Sequence, residues 1–130
     1  MKRILTTIVI ALAFSIMVLA QGYAQAYFPV RLHDFGYIKE EKGPVSYTFE
    51  LENKGTKPLI IVQVTASCGC TRPQYSTRPI KPGKKGKIKV TYSPYGRPGA
   101  FEKIIKVKTN GREKRTLLVI SGTVIPRGKK

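Results

Sequence analysis

Two cysteines separated by a single glycine, Cys68-Gly69-Cys70, are the residues of this chain best suited to do chemistry. Thiols at that spacing can close a disulfide, exchange with another thiol, or hold a soft metal ion. On an extended strand they would face the same side, with Cα atoms about 6.6 Å apart. That lies near the upper end of what a disulfide spans, and Gly69 lets the backbone bend to shorten the gap. A ring this small is strained, and strained disulfides are the more easily reduced ones. It also restricts the unfolded chain very little, so it would add little stability. A structural pair, a thiol-redox pair, a metal-handling pair and intermolecular disulfides all stay open on these residues.

Other reactive groups are scarce. His33 is the only histidine and Asp34 the only aspartate. As strand neighbours they point to opposite faces and do not form a relay. Zinc wants four ligands, and His33 is the one imidazole on offer. A copper carrier would add thioethers, yet both methionines, Met1 and Met17, fall in an N-terminal apolar segment. The expectation is a protein without cofactor, metal or catalytic machinery.

Positive charge is the other conspicuous feature. Lys81, Lys84, Lys85, Lys87 and Lys89 fall within nine residues with no acid among them. Lys106 and Arg115 belong to a different pair of strands. These seven are the candidate anion-binding set. If they sit on opposite sheets, the charge encircles the domain and draws it generally to anionic surfaces. The alternative is a solvated loop with lysine-blunted strand edges. No motif reads bases or cradles phosphate, so nucleic acid is not an expected partner. A protein partner or an anionic envelope surface is.

The start of the chain sets the compartment. Lys2 and Arg3 precede an uncharged run from Ile4 to Ala20, followed by Ala24-Gln25-Ala26, the small-x-small pattern of a signal-peptidase site. The expectation is a signal peptide over 1–26, export to the periplasm or cell envelope or beyond it, and a domain over 27–130. Membrane contact is then peripheral, unless the leader is retained as an anchor. With Lys2 and Arg3 set aside, 22 lysines and arginines remain against all seven acids, a formal charge of +15. The remaining 104 residues suffice for one domain with a modest core.

The elements that must position these residues read as strands. Val45, Tyr47, Phe49 and Leu51 alternate with Ser46, Thr48, Glu50 and Glu52, and Ile88, Val90 and Tyr92 alternate with Lys87, Lys89 and Thr91. A period of two marks half-buried strands. Turn signals such as Gly43-Pro44, Pro82-Gly83 and Asn110-Gly111 separate about seven segments. They lie near 31–37, 44–53, 58–66, 72–76, 86–93, 100–109 and 112–124. This predicts an all-β, immunoglobulin-like sandwich of antiparallel strands. Leu59–Val64, apolar almost throughout, is expected to be a buried central strand. The Ile104-Ile105 doublet is expected to mark a bulge or a strand edge. A two-residue turn at Asn110-Gly111 would set Lys108 opposite Glu113 and Lys106 opposite Arg115.

Ser67-Cys68-Gly69-Cys70-Thr71 after an apolar strand is followed by Ile80-Lys81-Pro82-Gly83-Lys84-Lys85-Gly86 leading into Ile88–Tyr92. With the closing Ser121-Gly122-Thr123-Val124, this resembles the bacterial family called domain of unknown function 1573. That family is related to Hydin-type (ASH) immunoglobulin-like domains and, more distantly, to PapD-type chaperones. The resemblance covers about residues 30–125. It implies a sandwich fold and an exported or envelope setting, carries the two family cysteines onto Cys68 and Cys70, and implies no activity.

Overall fold

The computed structural model describes residues 3–10 and 22–128; the central part of the expected leader, 11–21, lies outside them. Residues 3–10 are helical. No helix among the described residues is long and apolar enough to cross a membrane.

Among the described residues, eight strands form two sheets: β1 (Ala26–Tyr27), β2 (Leu32–Lys39), β3 (Val45–Asn53), β4 (Ile61–Ala66), β5 (Thr71–Tyr75), β6 (Lys85–Tyr92), β7 (Gly99–Thr109) and β8 (Arg115–Ile125). Sheet I runs β1-β3-β6-β5 and sheet II runs β2-β8-β7-β4. The period-two pattern does what it must. Phe49, Leu51, Ile88, Val90 and Tyr92 of sheet I face Ile105, Val107, Leu118, Ile120 and Val124 of sheet II in one core, all essentially without exposure. Lys87 and Lys89 stand outside.

Four details depart from expectation. First, β2 lies parallel to β8, the one parallel pair in an otherwise antiparallel sandwich. The chain crosses from sheet I to sheet II between β1 and β2, so β2 enters alongside β8 running in the same direction. A register shift between Asp34 and Tyr37 is accommodated by Gly36, whose φ of 70° suits glycine and whose N–H donates to Asp34 Oδ1 at 2.8 Å. Second, β4 is an edge strand: it pairs only with β7, and a shift between Ile61 and Gln63 leaves Val62 exposed. Its apolar run reflects burial of Ile61 and Val64, with Leu59 bonded to Ile80 just outside the strand.

Third, β7 pairs with β8 without a shift from Gly99 to Lys108. Ile104 breaks the alternation by standing on the outer face, with no bulge. Fourth, the Asn110-Gly111 turn is not a two-residue hairpin. Lys108 faces Arg115 and Lys106 faces Leu117, and neither turn residue has a positive φ. Tertiary contacts claim the loop instead: Asn110 Oδ1 accepts from Ile60 N at 2.7 Å, and Arg112 N donates to Ala24 O at 2.9 Å.

Asn53 joins the strands at this end. It has no exposure. Its Nδ2 donates to Lys57 O (2.7 Å) and Ile80 O (2.9 Å), while Oδ1 accepts from Gly55 N (2.9 Å) and Gln25 N (3.3 Å). That fills the four hydrogen-bonding positions of an amide. Asn53→Ala should cost about 3 kcal/mol, because four part-buried hydrogen bonds to the backbone are lost together. Asn53→Asp, which keeps the acceptor and loses both donors, should rescue little. The midpoint of urea unfolding measures both.

Candidate functional site

The cysteines do not sit on a strand. They form the corner at which the chain leaves β4, the edge of sheet II, and enters β5, the edge of sheet I. Thr71 N donates to Cys68 O at 3.1 Å, closing a tight turn over Cys68–Thr71. The turn brings the two Cα atoms to 5.1 Å, nearer than an extended strand would, and the sulfur atoms to a bonding distance of 2.06 Å. Gly69 needs no special backbone: its φ is not positive and a Cβ there would meet nothing within 4 Å. The bend comes from the turn.

The corner is anchored from both sheets. Ser93 N donates to Cys70 O at 2.9 Å and Ser67 N donates to Ile104 O at 3.1 Å. The two sulfurs differ in setting. Cys68 is half-buried and accepts the Cys70 N–H at 3.1 Å, whereas Cys70 is 4% exposed and packs in the core beside the Thr71 hydroxyl at 3.6 Å. Beside the corner opens a cleft of about 280 Å³ lined by Gly69, Cys70, Arg72, Thr91, Ser93 and Arg97. Arg97 is held by its own loop, where Nη1 donates to Tyr95 O at 2.9 Å. That loop is tied down in turn by Gly96 N donating to Glu40 Oε1 at 3.1 Å. Burial pushes the Tyr92 phenol above its ordinary value, and the Arg97 guanidinium opposes the shift.

The seven basic candidates divide. Lys81, Lys84, Lys85 and Lys87 rim a second cleft of about 340 Å³, which sequence reading did not complete with Arg78 and its apolar floor of Ile61 and Ile80. Lys89 stands on the same outer face of β6, opposite Thr48 and Gln74. Lys106 and Arg115 lie on sheet II. Acids absent from the lysine run in sequence stand beside it in space, with Glu50 opposite Lys87 and Glu52 opposite Lys85. Such opposed pairs favour the sheet and dilute its positive field.

His33 is packed. Its ring stacks on Tyr47 at 3.7 Å and meets the edge of Phe35 at 4.6 Å. Asp34 faces outward on the same strand. Among the described residues, no group of three or more His, Cys, Asp or Glu gathers at one place.

A feature missed in the sequence is the outer face of sheet II. Leu32, Val119 and Ile104 lie side by side across β2, β8 and β7, with Leu117 next along β8. Leu32 is 69%, Leu117 51% and Ile104 42% exposed. Lys106, Lys108 and Arg115 lie on one side of this row, and Asp34 and Glu102 on the other. The outer face of sheet I is polar by contrast, presenting Ser46, Thr48, Glu50, Lys87 and Lys89. Ile104 was the signal, as an apolar residue at a position where alternation asks for a polar one.

Two face-packed sheets with a parallel entry strand and a cysteine corner between edge strands define an immunoglobulin-like β-sandwich module. Residues 27–124 match the family described as protein of unknown function (DUF1573), and the chain belongs to that family. Among solved structures it is similar to a protein of unknown function from Porphyromonas gingivalis W83. That match has a TM-score of 0.68 and 15% identity, over 77% of this chain and 46% of that one. It is also similar to the ASH/PapD-like domain 7 of human CEP192, with a TM-score of 0.65 and 14% identity, over 82% of this chain and 89% of that one. The Vibrio cholerae VesB protease shares the fold over 77% of this chain but 31% of its own, with a TM-score of 0.62 and 13% identity. The chain thus spans under half of the first and about a third of the last. At these identities the likeness is one of fold. No curated protein sequence matches the chain.

Two outcomes are expected. A three-residue ring constrains the unfolded chain by only about 1.6 kcal/mol in the chain-entropy relation. Reducing the bridge in the unaltered protein should therefore lose no more than that in denaturant unfolding, and Gly69→Ala should lose almost nothing. In the second, stability carried by Tyr92 is present below its unfolded pKa of 10.0 and is lost as pH rises through its higher folded value. Tyr92→Phe should flatten the fall in stability above pH 10, measured by urea unfolding across that range.

Proposed function

We propose that this protein is a non-catalytic, exported immunoglobulin-like module that binds a partner protein through the outer face of sheet II. The carrying observation is the apolar row of Leu32, Val119, Ile104 and Leu117 on an otherwise strand-paired, solvent-facing surface. Sandwiches normally place polar residues there, and a contiguous exposed apolar row marks an interaction surface. Basic residues on one side and acidic residues on the other favour a partner with patterned charge, as protein surfaces have, over a uniformly anionic one. The neighbouring edges β2 and β4 offer unpaired backbone groups for an added strand. Export is supported by the basic start, the apolar run and the small-x-small site.

Paired variants test this reading with immobilised protein and a detergent extract of the native envelope. Ile104→Glu/Leu117→Glu should abolish capture of any stoichiometric partner while leaving the melting temperature within a few degrees. Lys84→Glu/Lys85→Glu should leave capture intact. If only the lysine variant loses capture, or if all binding vanishes in moderate salt and reappears on anionic vesicles, the domain binds an anionic surface and the proposal fails.

A further inference from the structure

The cysteine corner is a reactive feature that partner binding through sheet II leaves unused. A bridge there is poorly suited to be a staple, because a ring this small removes little freedom from the unfolded chain. Its surroundings are better suited to exchange. Cys68 is half-buried and its Sγ accepts a backbone N–H, whereas Cys70 is packed inside. The cleft beside Cys70 carries two guanidinium groups, Arg72 and Arg97, and no carboxylate lines it. Hydrogen bonds from Ser93 and Thr71, and the Glu40-anchored loop carrying Arg97, hold the arrangement ready.

We propose that Cys68 and Cys70 form a reversible thiol–disulfide couple that exchanges with low-molecular-mass thiols carrying carboxylates, recruited by Arg72 and Arg97. In reduction, the partner thiolate attacks Cys68 Sγ, on the less buried of the two cysteines. The Cys68–Cys70 bond breaks and its electron pair leaves on Cys70 Sγ, which then takes a proton from solvent. A second partner thiolate attacks the partner's sulfur in the mixed disulfide. This releases the oxidised partner and the Cys68 thiolate, which takes up a second proton from solvent. Two partner thiols thus become one disulfide as the protein gains two electrons and two protons. Oxidation runs the same steps in reverse, with the small-molecule disulfide as oxidant. The exchange is independent of whether sheet II is a docking face.

Reduction of the oxidised full-length protein by a charge series of thiols tests this. Glutathione is the acidic probe, 2-mercaptoethanol the neutral one and cysteamine the cationic one, each rate corrected for thiolate fraction and read by alkylation and intact mass. At low salt glutathione should outpace cysteamine by roughly fivefold, a ratio that collapses in 0.5 M salt and in Arg72→Gln/Arg97→Gln. Glutathione disulfide should label Cys68 in the Cys70→Ser variant at least about tenfold faster than Cys70 in the Cys68→Ser variant. Equal rates across the three thiols in the unaltered protein would overturn the proposal, whatever the arginine variants do. So would equal labelling of the two cysteines, or a pair reduced only when the domain unfolds.

A separate observation bears on processing. Residues 23–26 are built into the sandwich. Tyr23 O accepts from Thr56 N at 2.8 Å, Ala24 O from Arg112 N at 2.9 Å and Gln25 O from Lys54 N at 2.9 Å, while Ala24 and Ala26 are buried. Tyr23 also meets Arg112, by a 3.2 Å hydrogen bond to its hydroxyl and by ring contact. We infer that the leader is removed at the earlier small-x-small site, Ala20-Gln21-Gly22, so that the exported chain begins at Tyr23. The intact mass of protein exported by its native host decides. A start at Tyr23 supports the inference, and a start at Tyr27 or a retained leader overturns it.

Discussion

The closed end of this sandwich depends on one buried amide. Asn53 ends β3 where the chain must turn toward β4, and four backbone groups converge on it there. Those groups come from the segment before β1, from the turn at 55–57 and from the strap at Ile80. None of the three has a long ladder of its own, since β1 contributes two residues and Ile80 forms an isolated bridge. A buried backbone N–H or C=O without a partner is costly, so a single side chain that satisfies four of them lets short, irregular segments close the core. The same strap then positions Lys81, Lys84 and Arg78 around the neighbouring cleft.

The opposite demand is met at the cysteine corner. Each edge of a sandwich needs a chain that can pass from one sheet to the other without leaving polar backbone stranded. Between β4 and β5 this is done in four residues, by a tight turn whose carbonyls and amides are taken up by Ile104, Thr71 and Ser93. The crossing is short because a tight turn over Cys68–Thr71 makes it, and it leaves Cys68 half-buried and Cys70 inside. The inequality of the two sulfurs is therefore a product of the crossing itself. Arg72 follows on β5 and Arg97 arrives from the loop after β6, so the charge beside the pair is assembled from separate parts of the chain.

Charge and apolar surface are distributed unevenly over the two sheets, and this gives the domain distinct faces. Sheet I presents lysines opposed by glutamates at the register positions of β3 and β6. Sheet II presents an apolar row between a basic side and an acidic side. A formal charge of +17 for the whole chain conceals both patterns. Net charge governs long-range attraction, whereas recognition depends on which groups stand next to one another.

Fold class was legible from the sequence because it rests on local pattern. Period-two alternation in Val45–Leu51 and Ile88–Tyr92, broken by turn residues, is enough to define half-buried strands and hence a two-sheet sandwich. The division of basic residues between the sheets followed from their lying on different pairs of strands in such a sandwich. What the sequence left open was every relation set by distant neighbours. The parallel β2–β8 pair, the edge position of β4 and the longer Asn110-Gly111 turn arise from contacts across dozens of residues, which local pattern does not encode. Ile104 carried a visible irregularity, but whether it meant a bulge or an exposed apolar row depended on the uninterrupted β7–β8 ladder. Cys68 and Cys70 announced themselves by type and spacing; that Cys68 is half-buried, and that Cys70 is buried beside Arg72 and Arg97, was decided by the corner between the sheets.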